Sequence, residues 1–175
     1  MQQMIKAIKR GVLIFLLLLA SYYFFFLKPK IELPNRINKA QEILTNHHST
    51  LLQNRLSFVE LTKLDPEAGT FNLEKSSLIG TLQETSKEGL KTLENPTKLP
   101  EVNKELSERY NKLTSETREL YEKQDRLFEK VFATDSYEAG TELLRSDESI
   151  KILTTQTNLI LEYKYWLDIL SGSVL

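Results

Sequence analysis

Residues 11–27, GVLIFLLLLASYYFFFL, run for seventeen positions without a charge. A helix on one side of a small globular core has no need to be apolar on every face for so long. As a helix the run spans roughly 25 Å, close to the hydrocarbon thickness of a bilayer, about 30 Å. Ala7 and Ile8 extend it, and Lys9, Arg10 and Lys28 can snorkel outward from its ends. The tyrosines and phenylalanines of 22–26 crowd one end, where an aromatic belt would sit. The stretch is therefore expected to be a single membrane anchor made of Gly11, Val12, Leu13, Ile14, Phe15, Leu16, Leu17, Leu18, Leu19, Ala20, Ser21, Tyr22, Tyr23, Phe24, Phe25, Phe26 and Leu27.

A cleaved signal peptide shares the basic start. Its apolar region is usually shorter and ends in small residues. Here the only small pair is Ala20-Ser21, with Leu18 where a small residue is wanted and five aromatics following. The expectation is an uncleaved anchor in the cell membrane. Cations flank both ends, so the charge count hardly decides orientation. A very short basic amino-terminal tail is hard to translocate while long domains cross largely regardless of charge, so the tail is expected in the cytoplasm and the larger part outside.

Beyond the anchor, Lys28-Pro29-Lys30 is expected to end the membrane helix, because proline lacks a donor and restricts its predecessor. Residues 36–63 are helical in pattern. Ile37, Leu44, Leu51 and Phe58 recur every seven positions, with Ile43, Leu52, Val59 and Leu61 widening the stripe. LDPEAGT, 64–70, reads as a turn in which Gly69 supplies unusual backbone angles. Residues 71–95 form a weaker helical pattern. Gly80 and Gly89 count against it, or else permit close helix contact.

NPTKLP, 95–100, breaks the chain again, with Pro100 suited to the first turn of a helix over 101–133. There Leu106, Leu113, Leu120 and Leu127 keep a strict seven-residue series beside Tyr110, Thr117, Gln124 and Val131, a narrow coiled-coil-like seam. Asp135, with Glu138 three residues on, is expected to cap a short helix over 136–145, and Ser146 the last one, 147–170. Ile152, Leu159 and Trp166 share one line of that helix, and Leu153, Ile160 and Leu167 the next.

The fold class expected is all-α: a single N-terminal transmembrane helix followed by an antiparallel helical bundle with long coiled-coil-like helices. Residues 1–10 read as a short basic tail, 11–27 as the anchor, 28–34 as a linker, 35–171 as the bundle and 172–175 as a frayed end.

Charge and chemistry narrow the function. The net charge is −1, and the first ten residues hold three cations and no acid, which leaves the rest at −4. That lacks the basic excess a nucleic-acid partner usually requires. There is no cysteine, so disulfides, thiolate metal sites and Cys nucleophiles are excluded. His47 and His48 are adjacent, about 100° apart on a helix, and do not converge on one metal. Glu105–Arg109 and Glu119–Lys123 are i, i+4 pairs on a solvated face. No phosphate loop, nucleophile elbow, zinc spacing or calcium loop is present.

No cofactor and no catalytic residue is expected. The expected partners are the lipid bilayer, through 11–27, and a protein or a second copy of the chain. Tyr110, Thr117, Gln124, Tyr163 and Trp166 are the side chains expected to line a partner surface or pocket. The function expected is that of a non-enzymatic, membrane-tethered scaffold or accessory subunit of an envelope complex. The alternative is a small-ligand-binding sensory bundle that signals through a partner.

Overall fold

The computed structural model describes residues 2–65, 68–94, 99–100, 102–134 and 137–172. Among these residues every regular element is helical, with no strand. Helix α1 covers Gln2–Tyr22, a π turn Tyr23–Leu27, α2 Lys28–Thr62, α3 Phe71–Glu94, α4 Lys104–Ala133, α5 Tyr137–Leu144 and α6 Asp147–Gly172.

The break expected at Lys28-Pro29-Lys30 is absent. Residues 28–34, read as a linker, are helical, and α1, the π turn and α2 form one uninterrupted rod. The reason is local. The Lys28 N–H reaches the Tyr23 carbonyl, five residues back instead of four. In an α-helix the Pro29 ring would collide with the carbonyl four residues earlier. The widened π turn just upstream relieves that collision, and Pro29 then falls in the first turn of α2, where no donor is required. Pro34 lies inside α2 and forgoes a bond to the Lys30 carbonyl.

Other local expectations also meet the structure. Helix α4 starts at Lys104, not 101, because the Asn103 side chain accepts from the N–H groups of Glu105 (2.9 Å) and Leu106 (3.4 Å). The Ser146 hydroxyl accepts from the Ser149 N–H, as expected of a cap. The cap expected of Asp135 and the break at 95–98 lie outside the described residues. No glycine has positive φ, so Gly69 is not used for left-handed geometry. The two helical glycines differ. At Gly89 an added Cβ would stand 2.5 Å from the Tyr121 ring, whereas at Gly80 it would meet nothing within 4 Å. Gly89 is thus a close-approach site between α3 and α4.

Helix α2 packs on α3 and α6, and α4 packs on the same two, with α5 set mainly against α4. Gln41 bonds to Ser171 and Arg55 to Thr157, so positions that advance along α2 recede along α6. The same holds for α4 and α6, through Arg109 with Glu162 and Lys130 with Glu148. Ile37, Leu44, Leu51 and Phe58 of α2, Leu106, Leu113, Leu120 and Leu127 of α4, and Ile152, Leu159 and Trp166 of α6 are all buried. Phe58 and Phe128 meet edge to face at 5.1 Å across the interior. Leu52 and Leu161 remain exposed.

The long apolar N-terminal helix is a different case. None of the side chains from Gly11 to Ile31 is buried, and Phe25 is 77% exposed. By length and composition this rod is able to cross a membrane.

Candidate functional site

The five side chains expected to form a partner surface do not form one. Tyr110, Thr117, Gln124, Tyr163 and Trp166 are all buried, between 0% and 5% exposed. The seven-residue pattern of α4 turns both of its series inward, and the aromatic mass of α6 fills the interior it faces. Sequence spacing located these residues on the right face. It did not tell a core from an interface, since both are apolar stripes with polar interruptions.

Four of them belong to a polar spine along the core. In one layer His47 hydrogen-bonds the Tyr110 hydroxyl at 3.1 Å, and its ring lies 5.7 Å from that of Tyr163. The Thr117 hydroxyl donates to the Leu113 carbonyl at 2.7 Å. Its one hydrogen is thereby used, so Tyr163, at 3.2 Å, donates to it. Burial lowers the His47 pKa to about 4, which keeps the imidazole neutral. Burial also pushes the Tyr163 and Tyr110 phenols up, so both stay protonated.

A second layer is built on Asn54. Its amide nitrogen faces Thr85 Oγ1 (3.0 Å), Ser86 Oγ (3.3 Å) and the Leu82 carbonyl (3.4 Å). Its carbonyl oxygen accepts from Gln156 Nε2 at 2.7 Å, and the same nitrogen donates to Gln124 Oε1 at 3.1 Å. Gln124 Nε2, Gln156 Oε1 and the Ser149 hydroxyl are buried without a partner. His47, Asn54, Ser149 and Gln156 are among the buried polar residues that sequence reasoning did not place in the core. The available signal was their seven-residue spacing, His47 to Asn54 and Ser149 to Gln156 to Tyr163, which repeats as regularly as the leucines do.

On the surface, α4 and α6 enclose a groove of about 760 Å³ over the buried side chains Leu120, Ile152 and Leu159. Its ends carry ion pairs. Arg109 bonds Glu162 across the groove and lies 3.5 Å from Glu116, and Lys130 meets Glu148 at 3.2 Å. The expected Glu105–Arg109 pair gives way to the two-pronged bond with Glu162, a geometry that a guanidinium favours. That bond holds the Glu162 carboxyl below the usual range. Glu119–Lys123 forms as expected, at 2.6 Å. His48 is half-exposed on the outer face of α2, near Lys164, and away from the His47 site. Among the described residues no three His, Cys, Asp or Glu side chains are placed to hold a metal.

No protein-family model, no curated protein and no solved structure matches this chain.

Proposed function

We propose that this chain is a single-pass membrane protein whose helical body, an antiparallel bundle of α2, α3, α4 and α6, is held outside the cytoplasmic membrane and binds another protein without catalysing a reaction. It fits the role of a scaffold or an accessory subunit of an envelope complex. The observation that carries this reading is the unbroken rod from α1 through α2. An apolar stretch whose side chains from Gly11 to Leu27 all stand in the open exceeds the apolar patch that a soluble monomer exposes, a few hundred Å². That helix then becomes a core element of the body without a flexible joint, so the body is held at a fixed height.

The protein-binding part rests on how the body sorts its surface. The exterior of α4 is dense in Glu, Lys and Arg. Helices α2 and α6 instead expose Leu52, Leu56, Ile150 and Leu161. The α4–α6 groove is the feature that favours the alternative, small-ligand sensing, and a metabolite that raises the melting temperature would select it.

The test combines two measurements on the full chain with a carboxy-terminal tag. The full-length product should resist carbonate extraction, and the tag should be removed by protease added to cells with a permeabilised outer layer. A tag still protected in those permeabilised cells, or a product that starts after residue 20, overturns the reading. Crosslinking in membranes should give a discrete adduct that disappears in Leu56→Lys/Leu161→Lys. A strictly monomeric chain with no adduct removes the binding role.

A further inference from the structure

The rod carries a groove of about 580 Å³ along one face, and it crosses the level where the apolar run ends. Its floor is formed by Leu17, Ala20 and Ser21, where two small side chains leave a recess. Phe24 and Phe25 stand above the recess, followed by Lys28, Glu32 and Arg36. These positions follow one another by three or four residues, so they share one face of the helix across the π turn.

The polar end is organised. The Lys28 ammonium lies 5.5 Å from the centre of the Phe24 ring and only loosely beside Glu32, at 3.8 Å. Arg36 leans back one turn to Glu32 at 3.0 Å, which brings its guanidinium toward the apolar segment. The three charges sum to one positive. Helix α6 meets α2 at Gln41, through Ser171, so among the described residues the body does not cover this stretch. An apolar recess below a net-positive cluster at a bilayer boundary complements one class of molecule: an amphiphile with an anionic phosphate head.

We infer that this groove binds an anionic phospholipid, with an acyl chain over Ala20 and Ser21 and the phosphodiester between Lys28 and Arg36. The inference rests on the anchor reading above. A lipid held there would fix the depth and rotation of the rod beside its π turn, just before Pro34 leaves the Lys30 carbonyl without its helical donor. It would do so better than bulk electrostatic attraction, which is indifferent to the recess.

The test uses the full chain in nanodiscs of phosphatidylcholine with a minor fraction of phosphatidylglycerol, and native mass spectrometry reads the lipid that stays bound. One phosphatidylglycerol should be retained with roughly ten-fold enrichment over its bulk share, falling to about two-fold or less in Lys28→Gln/Arg36→Gln. Lys130→Gln/Lys164→Gln, equal in charge but on the body, should retain it. Ala20→Leu/Ser21→Leu fills the recess without touching a charge and should also lose it. Enrichment that survives the filled recess, or the loss of both cations, overturns the site. So does equal displacement of the lipid by inorganic phosphate alone, which would assign a plain anion site. A chain that fails to enter nanodiscs overturns the anchor reading, whereas one that enters and shows no preference overturns only the lipid site.

Discussion

Two glycines of α3 make opposite predictions from the same substitution. Alanine gains roughly 1 kcal/mol over glycine in a helix interior. At Gly80 nothing opposes that gain, so Gly80→Ala should stabilise the body by up to about 1 kcal/mol. At Gly89 the new methyl would meet the buried Tyr121 ring, and overpacking of this kind costs about 1–3 kcal/mol. Gly89→Ala should therefore lower the melting temperature, seen by circular dichroism of the detergent-solubilised chain, while Gly80→Ala raises it. His47 argues at the same scale. Its folded pKa of about 4 lies below its ordinary 6.5, so between those values the unfolded chain binds more protons. Stability must then fall as pH drops from 6.5 toward 4, by about 2 kcal/mol at pH 5 from this residue. His48, moved in the same direction by burial and Lys164, adds a smaller slope. In His47→Gln the loss of stability between pH 7 and pH 5 should shrink by a corresponding amount. An unchanged slope in urea melts would show that the imidazole is not buried as described.

Single helices show what the sequence could reveal. Leu106, Leu113, Leu120 and Leu127 are legible because a seven-residue leucine series has one physical explanation, a buried stripe. The facing residues are not, because Asn54, Gln124 and Gln156 are chemically the same side chains whether they face water or one another. Only the partner helix decides, and local pattern carries no information about it. Pro29 fails for a related reason: the rule that proline ends a helix assumes an α-helical turn before it, and the π turn at Tyr23–Leu27 removes that assumption. The polar spine makes a ranked prediction. Asn54→Leu removes the donor that faces Thr85 and Ser86 and the acceptor of one Gln156 hydrogen, and should cost about 2–3 kcal/mol. Gln124→Leu removes an amide whose nitrogen already lacks a partner and should cost under about 1 kcal/mol. Replacing Asn54, Gln124 and Gln156 together by leucine should cost less than Asn54→Leu alone, because no polar atom of the triad is left behind. Chemical denaturation of the three variants checks the order. A buried amide layer of this kind has a role that leucine cannot supply, fixing which residues of α2, α4 and α6 lie level.

At the scale of the molecule, the apolar segment and the helical body share one continuous helix, but from Gly11 to Leu27 no side chain enters the core. From Gly11 onward Ile37 is the first buried residue along the rod, and among the described residues α1 packs mainly against the π turn that continues it. Among the described residues the interior formed by α2, α3, α4 and α6 takes no side chain from 11–27. A chain beginning at Lys28 should remain in the supernatant after high-speed centrifugation, keep the helicity of the body and melt within about 2 °C of the full chain, a difference of at most about 1 kcal/mol for a domain of this size. The neck from Lys28 to Arg36 should fray in that chain, since Pro34 removes a helical bond and the body does not cover it. Hydrogen exchange should show fast amides up to Arg36 and protection from Ile37 onward. Restoring the donor with Pro34→Ala should extend protection toward Lys30 without moving the melt of the core. A large fall in melting temperature on truncation would mean that α1 packs on the body, and the separation of anchor from fold would then be lost.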